Sequence, residues 1–310
     1  MSAEPVRMAV VGVGHFGSFH CCKIQSLPGA DLRVVVDVDS DRAASAGARF
    51  GAQALTSIED LAGRVDAAVV AVPTPEHHQV AARLLAAGLD LLVEKPLAAS
   101  SEQAQHLCEL AARRARCLQV GHLERFNPIV REAFARIREP RYVRLERLGP
   151  FPAQGVKADV VFELMTHDLD LLLQLNGSPV ESIEAIGFSV ASPWADLASA
   201  RLRFADGMLA ELASSRVHPQ RKRHMSVLDA DGLLEIDLDA RCLWRRPRGE
   251  QAQACDPVSC SDGDPLLEQD RAFVYALANG RQPKVGPEAG AAAVALAERI
   301  VRSIESGARG

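Results

Sequence analysis

Six residues near the amino terminus, Gly12-Val13-Gly14-His15-Phe16-Gly17, restrict the folds open to this chain more than any other stretch. A short apolar run, Arg7-Met8-Ala9-Val10-Val11, leads into them, and His15 through Leu27 reads as a helix closed by Pro28-Gly29. A strand that enters a glycine turn and leaves as a helix is the setting that the dinucleotide fingerprint requires. The first glycine permits the tight turn, the second lets the backbone approach a pyrophosphate, and the third lets the helix pack closely on the strand. The helix N-terminus adds unpaired N–H groups and a partial positive charge. A second apolar run, Leu32-Arg33-Val34-Val35-Val36, ends at Asp37. That is about 20 residues past the third glycine, where an acid that binds the ribose hydroxyls belongs.

The pattern continues to about residue 121 as an alternation of apolar runs with amphipathic helices. Asp41 to Phe50 reads as a helix stopped by Gly51, and Ser57-Ile58-Glu59-Asp60 resembles a capping box that opens another. Ala67 to Val72 is continuously apolar, as a strand covered on both faces should be, and Pro73-Thr74-Pro75 is expected to be a loop. A helix from about Glu76 to Ala87 leads to Leu91-Leu92-Val93 and then Glu94-Lys95-Pro96, followed by the helix Ser101 to Ala115 and the strand Cys117 to Val120. The alternation predicts an α/β fold, a doubly wound parallel Rossmann sheet, with ligands outside the carboxyl ends of its strands. The glycine turn, Pro73 to His77 and Glu94-Lys95-Pro96 converge there.

After Gly121 the texture changes. His122 to Pro128 is a polar elbow, a helix runs to Glu139, Tyr142 to Leu148 reads as a strand and Val160 to Leu175 as a helix. Short strand-like runs follow at 182–188, 200–204, 208–215, 224–228, 233–238 and 241–244, with turns at Ala205-Asp206-Gly207 and Ala230-Asp231-Gly232. Helices near Leu266–Ala278 and Glu288–Ser306 close the chain. A length of 310 residues suits two domains, here 1–121 for the Rossmann part and 122–310 for an α+β part with a largely antiparallel open sheet. An open sheet covered by helices on one face predicts a homodimer or homotetramer built on the other.

Composition narrows the partners. The net charge of −5 and the lack of a clustered basic face argue against nucleic acid, and Arg245-Arg246-Pro247-Arg248 reads as a solvated turn. No apolar run is long enough to span a membrane and nothing before the first strand resembles a signal peptide, so a cytoplasmic protein is expected. The seven irregularly spaced cysteines fit reduced thiols, and none has metal-site spacing.

Two groups could carry chemistry. Lys95 leaves a strand and precedes a proline, so its amine is expected in the cleft where a nicotinamide lies; there it either titrates nearer neutrality or serves as a fixed donor to a substrate oxygen. Glu163, His167 and Asp170 are spaced to share one helix face. His167 suits proton removal from a hydroxyl as hydride leaves the same carbon, and Glu163 could orient the imidazole or bind a sugar hydroxyl. With no second histidine at ligand spacing, a metal is not expected.

Taken together, the glycine turn, Asp37, Pro73 to His77, Glu94-Lys95-Pro96, Arg125-Phe126-Asn127-Pro128 and Glu163 to Asp170 resemble the Gfo/Idh/MocA oxidoreductases, as do Pro265-Leu266, Phe273 and Gly280-Arg281-Gln282-Pro283. The resemblance covers nearly the whole chain. It implies NAD as cofactor, held by Gly12, Gly14, His15, Phe16, Gly17, Asp37, Pro73, Thr74, His77, Glu94 and Lys95. It also implies Lys95 and His167 as the catalytic pair, with Arg125, Asn127, Glu163, His167 and Asp170 at the substrate. The family usually has aspartate where this chain has Glu163. Within the family, Gly121 to Pro128 and Leu164 to Asp170 look most like the nucleotide-sugar branch, which oxidises the 3-hydroxyl of UDP-N-acetylglucosamine to a ketone. A partner aminotransferase then makes a 3-amino sugar for lipid A. Inositol and free-sugar dehydrogenases share most of these residues, and a relative that binds NAD only as a sensor is a further alternative. A short-chain dehydrogenase is excluded, because neither Tyr142 nor Tyr275 has a lysine four residues later.

Overall fold

The structure is a computed structural model that describes residues 4–153, 156, 158–249, 257–260 and 263–307. It divides into two compact units, one taking the chain up to Phe126 and again over Asp264–Val294, the other taking Asn127–Gly263 and the chain from Ala295 onward.

In the first unit, β1 (Val6–Val11), α1 (His15–Ser26), β2 (Ala30–Val36), α2 (Ser40–Phe50), β3 (Gln53–Leu55), β4 (Ala67–Val70), α3 (Thr74–Ala86), β5 (Asp90–Glu94), α4 (Ser101–Arg114) and β6 (Leu118–Gly121) alternate as expected. The six strands are parallel in the order β3-β2-β1-β4-β5-β6. The order reverses between β1 and β4, which makes the carboxyl ends of these two strands the topological switch point. Helices on both faces explain why all of β4 is buried. Two local expectations change. Pro73-Thr74-Pro75 is not a loop, since α3 starts at Thr74 with its prolines in or before the first turn, where a missing N–H costs nothing. Ser57 caps only a single 3₁₀ turn, Ile58–Leu61, rather than a full helix.

The second unit holds α5 (Pro128–Arg136), β7 (Tyr142–Leu148), α6 (Thr166–Leu175), β8 (Val180–Phe188), β9 (Leu197–Phe204), β10 (Leu209–Ser215), β11 (Lys222–Asp229), β12 (Gly232–Asp237), β13 (Cys242–Pro247) and β14 (Val258–Ser259). Its eight strands run in the order β14-β13-β12-β11-β7-β10-β9-β8, antiparallel except for the parallel pair β7 and β10. Alternating residues, Val143 and Leu145 on β7 and Ala198, Ala200, Leu202 and Phe204 on β9, face a core completed by Ile129 and Val130 of α5 and Leu169 and Leu172 of α6.

The last helices are α7 (Pro265–Ala278) and α8 (Pro287–Gly307). The sequence-based division at residue 121 assigned both to the second domain, whereas α7 belongs with the first unit, to which the chain returns at Asp264. Phe273 and Val274 of α7 are the reason, because they are buried in the core formed by Met8, Val10 and Ile24. The first unit ends at Val294 inside α8, and Leu296, Ala297 and Ile300 of the same helix pack into the second core.

Candidate active site

At the switch point each glycine of the turn has a measurable reason. Gly12 has φ +86° and lies so near β4 that an added Cβ would stand 2.7 Å from the Ala71 carbonyl oxygen. A Cβ on Gly17 would stand 1.8 Å from the Gly12 carbonyl oxygen, so helix and strand meet at this spacing only without a side chain. Gly14 has nothing within 4 Å of its Cβ position and caps α1 without a side-chain bond, which leaves an open approach to the first N–H groups of the helix. That combination fits the pyrophosphate of a dinucleotide. His15 and Phe16 are exposed beside it.

Asp37, 6% exposed, sits at the end of β2. Its Oδ2 accepts from the Val13 N–H at 3.0 Å and its Oδ1 from the Asp39 N–H at 3.0 Å, which ties the end of β2 to the glycine turn. Arg42 on α2 also reaches it, with Nη1 donating to Oδ1 at 3.2 Å. Although Arg42 is five residues on, α2 turns it back onto Asp37 because Asp39 caps the helix between them.

The next two strand ends carry the remaining first-unit candidates. Pro73 is exposed, Thr74 is half-buried, and the buried His77 has Nδ1 2.7 Å from the Pro96 carbonyl oxygen and Nε2 2.8 Å from that of Val72. Burial pushes its pKa down while both carbonyls oppose the shift. His77 therefore ties the start of α3 to the turn after Lys95. Lys95 is half-buried in the first position after β5, and the Lys95–Pro96 peptide is cis.

Glu94, at the last position of β5, points into a buried polar cluster that nothing in the sequence announced. Its Oε1 accepts from His20 Nε2 at 3.1 Å and from Gln269 Nε2 at 3.4 Å, and its Oε2 accepts from the Lys95 N–H at 3.3 Å. The other His20 nitrogen lies 2.9 Å from Asp270 of α7. Burial alone would discharge the His20 ring, but the Asp270 charge and hydrogen bond, followed by those of Glu94, push it up to about 10. Burial would also raise Glu94, yet His20 holds it below its ordinary value. Gly121, paired with Glu94 across β5 and β6, makes room for the carboxylate, since a Cβ there would stand 2.6 Å from Oε1.

In the second unit, His167 is half-buried in the first turn of α6 and follows a π-helical turn, Val161–Met165. Such single i→i+5 turns frequently mark functional positions. Asp159 opens the segment by accepting from the N–H groups of Val161 and Phe162 at 2.9 and 3.1 Å. The wider turn changes the register expected for Glu163, His167 and Asp170. Asp170 is 1% exposed, while the Glu163 side chain remains 37% exposed. Buried Arg216 grips Glu163 through Nη1, and the same guanidinium bonds Asp196 at 2.8 Å and the Ala158 carbonyl oxygen at 2.7 Å. Next to His167, Asp168 accepts from Arg147 of β7 at 2.7 and 3.0 Å, both groups being buried. Asn127 caps α5 by accepting from the Ile129 N–H at 3.3 Å, and Arg125 is half-buried in the first unit. Among the described residues no group of three or more His, Cys, Asp or Glu side chains could hold a metal, and no helix is long and apolar enough to cross a membrane.

His20, Asp270, Gln269, Arg216, Asp196, Arg147 and Asp168 all escaped the sequence reading. Their signal, polar residues inside otherwise apolar segments, carries no spacing that identifies a partner 250 residues away, as between His20 and Asp270.

Residues 6–122 match the oxidoreductase family with the NAD-binding Rossmann fold, Gfo/Idh/MocA, and residues 135–235 match the C-terminal domain of the same family. The chain is 32% identical to the UDP-N-acetylglucosamine 3-dehydrogenase of Acidithiobacillus ferrooxidans, over 97% of this chain and 98% of that protein. The solved structure of that enzyme superposes with a TM-score of 0.91, covering 98% of this chain and 99% of its own. An inositol 2-dehydrogenase of Corynebacterium glutamicum is 33% identical over 59% of this chain and 57% of its own length. The crystal structure of GenD2 from gentamicin A biosynthesis, in complex with NAD, is 25% identical with a TM-score of 0.85, covering 98% of this chain and 95% of that one. With its parallel NAD-binding sheet and its largely antiparallel second sheet, the chain belongs to the Gfo/Idh/MocA family of oxidoreductases.

Proposed function

We propose that the chain is an NAD-dependent dehydrogenase that oxidises the 3-hydroxyl of UDP-N-acetylglucosamine to a ketone. The observation that carries this reading is the likeness to the Acidithiobacillus enzyme, 32% identical over 98% of that protein, whose solved structure superposes with a TM-score of 0.91. NAD, when bound, supplies the hydride acceptor. Gly12, Gly14, His15, Phe16 and Gly17 hold its pyrophosphate, Asp37 its ribose, and Pro73, Thr74, Glu94 and Lys95 line the nicotinamide end. His77 serves that end through the backbone of Val72 and Pro96.

His167 takes the proton from the reacting hydroxyl, and Lys95 stabilises the developing alkoxide. Arg147 fixes the turn that presents His167 by holding Asp168. Glu163, longer by one methylene than the family's aspartate, is oriented by Arg216 to accept from a sugar hydroxyl, with Arg125 and Asn127 at the same substrate. Asp170, further along the same helix, completes the proposed substrate set.

The product is a ketone that an aminotransferase consumes, as on a route to a 3-amino sugar of lipid A. The free cysteines, six among the described residues, suit the cytoplasm. The test follows NADH absorbance while the purified protein meets UDP-N-acetylglucosamine, free sugars and inositols in turn. Preferential turnover of the nucleotide sugar is expected; preference for an inositol overturns the substrate assignment and keeps the dehydrogenase.

A further inference from the structure

Glu94 and Lys95 are neighbours in the chain with opposite fates. The Glu94 carboxylate turns into the first unit and is met from α1 by His20, from α7 by Gln269, and from its own backbone by the Lys95 N–H. Behind it, His20 is fully buried and anchored to Asp270, itself 1% exposed. Gln119 of β6 braces this side of α7 by donating to the Gln269 carbonyl oxygen at 3.0 Å. Of these groups Glu94 stands at the proposed nicotinamide end, whereas His20, Asp270, Gln269 and Gln119 have no part in the chemistry proposed above, and burying a charged trio is costly unless every member is paired.

We propose that His20, anchored by Asp270, is a positioning residue for Lys95, acting through the Glu94 carboxylate that it holds beneath the end of β5. Two consequences follow from the geometry. The carboxylate receives donors at both oxygens, so the backbone that carries Lys95 is pinned from below. The His20 cation also offsets part of the Glu94 charge felt by the Lys95 amine. The other titratable groups around the cluster are Lys23 and Cys21 of α1, His77 at the Pro96 turn and Asp264, the N-cap of α7. The inference rests on Lys95 being catalytic, so its first test needs no substrate.

Competitive acylation of the whole protein across a pH series, read by mass spectrometry, reports the proton affinity of Lys95 directly. In His20→Gln the offsetting cation is gone, and the Lys95 midpoint should rise by roughly one pH unit. In Glu94→Gln the midpoint should fall, and adding His20→Gln to that variant should shift it by clearly less than in the wild type, because the connecting carboxylate is absent and only the direct field of the ring is removed. With UDP-N-acetylglucosamine and NAD, His20→Gln should lower kcat roughly tenfold while the Kd for NADH stays within about twofold. An unchanged Lys95 midpoint in His20→Gln, or a shift that persists undiminished in the Glu94→Gln background, overturns the proposal. Should His20→Gln not fold, a nitrogen-15 histidine spectrum of the wild type decides, since the proposal requires the His20 ring to stay doubly protonated through neutral pH. Failure of the wild type to oxidise the nucleotide sugar refutes the substrate assignment alone, and the acylation result still judges His20.

Discussion

Lys95 and His167 divide one proton and one charge between them in the mechanism proposed here, and substitution separates the two roles. Replacing either with alanine should lower kcat roughly 100-fold or more with NADH binding nearly unchanged, as read by fluorescence titration beside steady-state rates. Loss of His167 should also remove the ionisation near neutrality on the acidic limb of the oxidation profile, because the base must be neutral to accept a proton. Lys95→Met should depress the rate and keep that limb. At Asp37 the issue is cofactor choice. Its carboxylate repels a 2′-phosphate, so NADH should bind more tightly than NADPH, but Arg42 lies 3.2 Å away as a ready phosphate partner. Asp37→Ala should therefore narrow the gap between the two Kd values by roughly tenfold or more, and adding Arg42→Ala should reopen it.

The strand-turn-helix from β1 to α1 depends on a missing methyl. Because a Cβ on Gly17 would stand 1.8 Å from the Gly12 carbonyl oxygen, Gly17→Ala must push α1 away from the turn. A cost of roughly 1–3 kcal/mol in unfolding free energy is expected, with loss of NADH binding out of proportion to it. Gly14→Ala meets nothing within 4 Å in the protein and should fold normally, so any loss of affinity there reports on the ligand alone. Denaturant titration alongside NADH titration of both variants checks the contrast. The π-helical turn before His167 shows a different dependence, since the apolar spacing of Val160 to Leu175 reads as one regular helix. The anchors that accompany the wider turn, Asp159 ahead of it and Arg216 on Glu163, come from the loop before it and from the end of β10.

For the whole molecule, the second sheet bears on assembly. Opposite its core face, β7 presents Arg144 and the half-buried Glu146, β9 presents the exposed Arg201 and Arg203, and β8 presents Ile186 and Phe188, the last two 56% and 57% exposed. Apolar side chains on an edge strand beside rows of mixed charge suit a self-complementary contact. A dimer or tetramer is the expected species in sedimentation at micromolar concentration, and Phe188→Asp should weaken it. A monomer for the wild type would remove the assembly proposal.

Local chemistry determined much of this protein before any coordinate. The glycines, the acid after the second strand and the two periodicities, 3.6 and near-continuous apolar, record constraints acting within about 30 residues, so the parallel sheet and its ligand-facing ends were legible. So were Lys95 and His167 as chemical candidates, because a lysine at a strand end and a histidine on an apolar helix are unusual in themselves. What only the tertiary structure decided are pairings across long separations. Arg42 reaches back to Asp37, α7 is in the Rossmann unit through Phe273, and Glu163 is held by Arg216. The partner of a buried charge is chosen by packing of the whole chain, and side-chain periodicity carries no record of that choice. His20 between Asp270 and Glu94 is the clearest case, three residues that become one site only when α1, β5 and α7 are packed together.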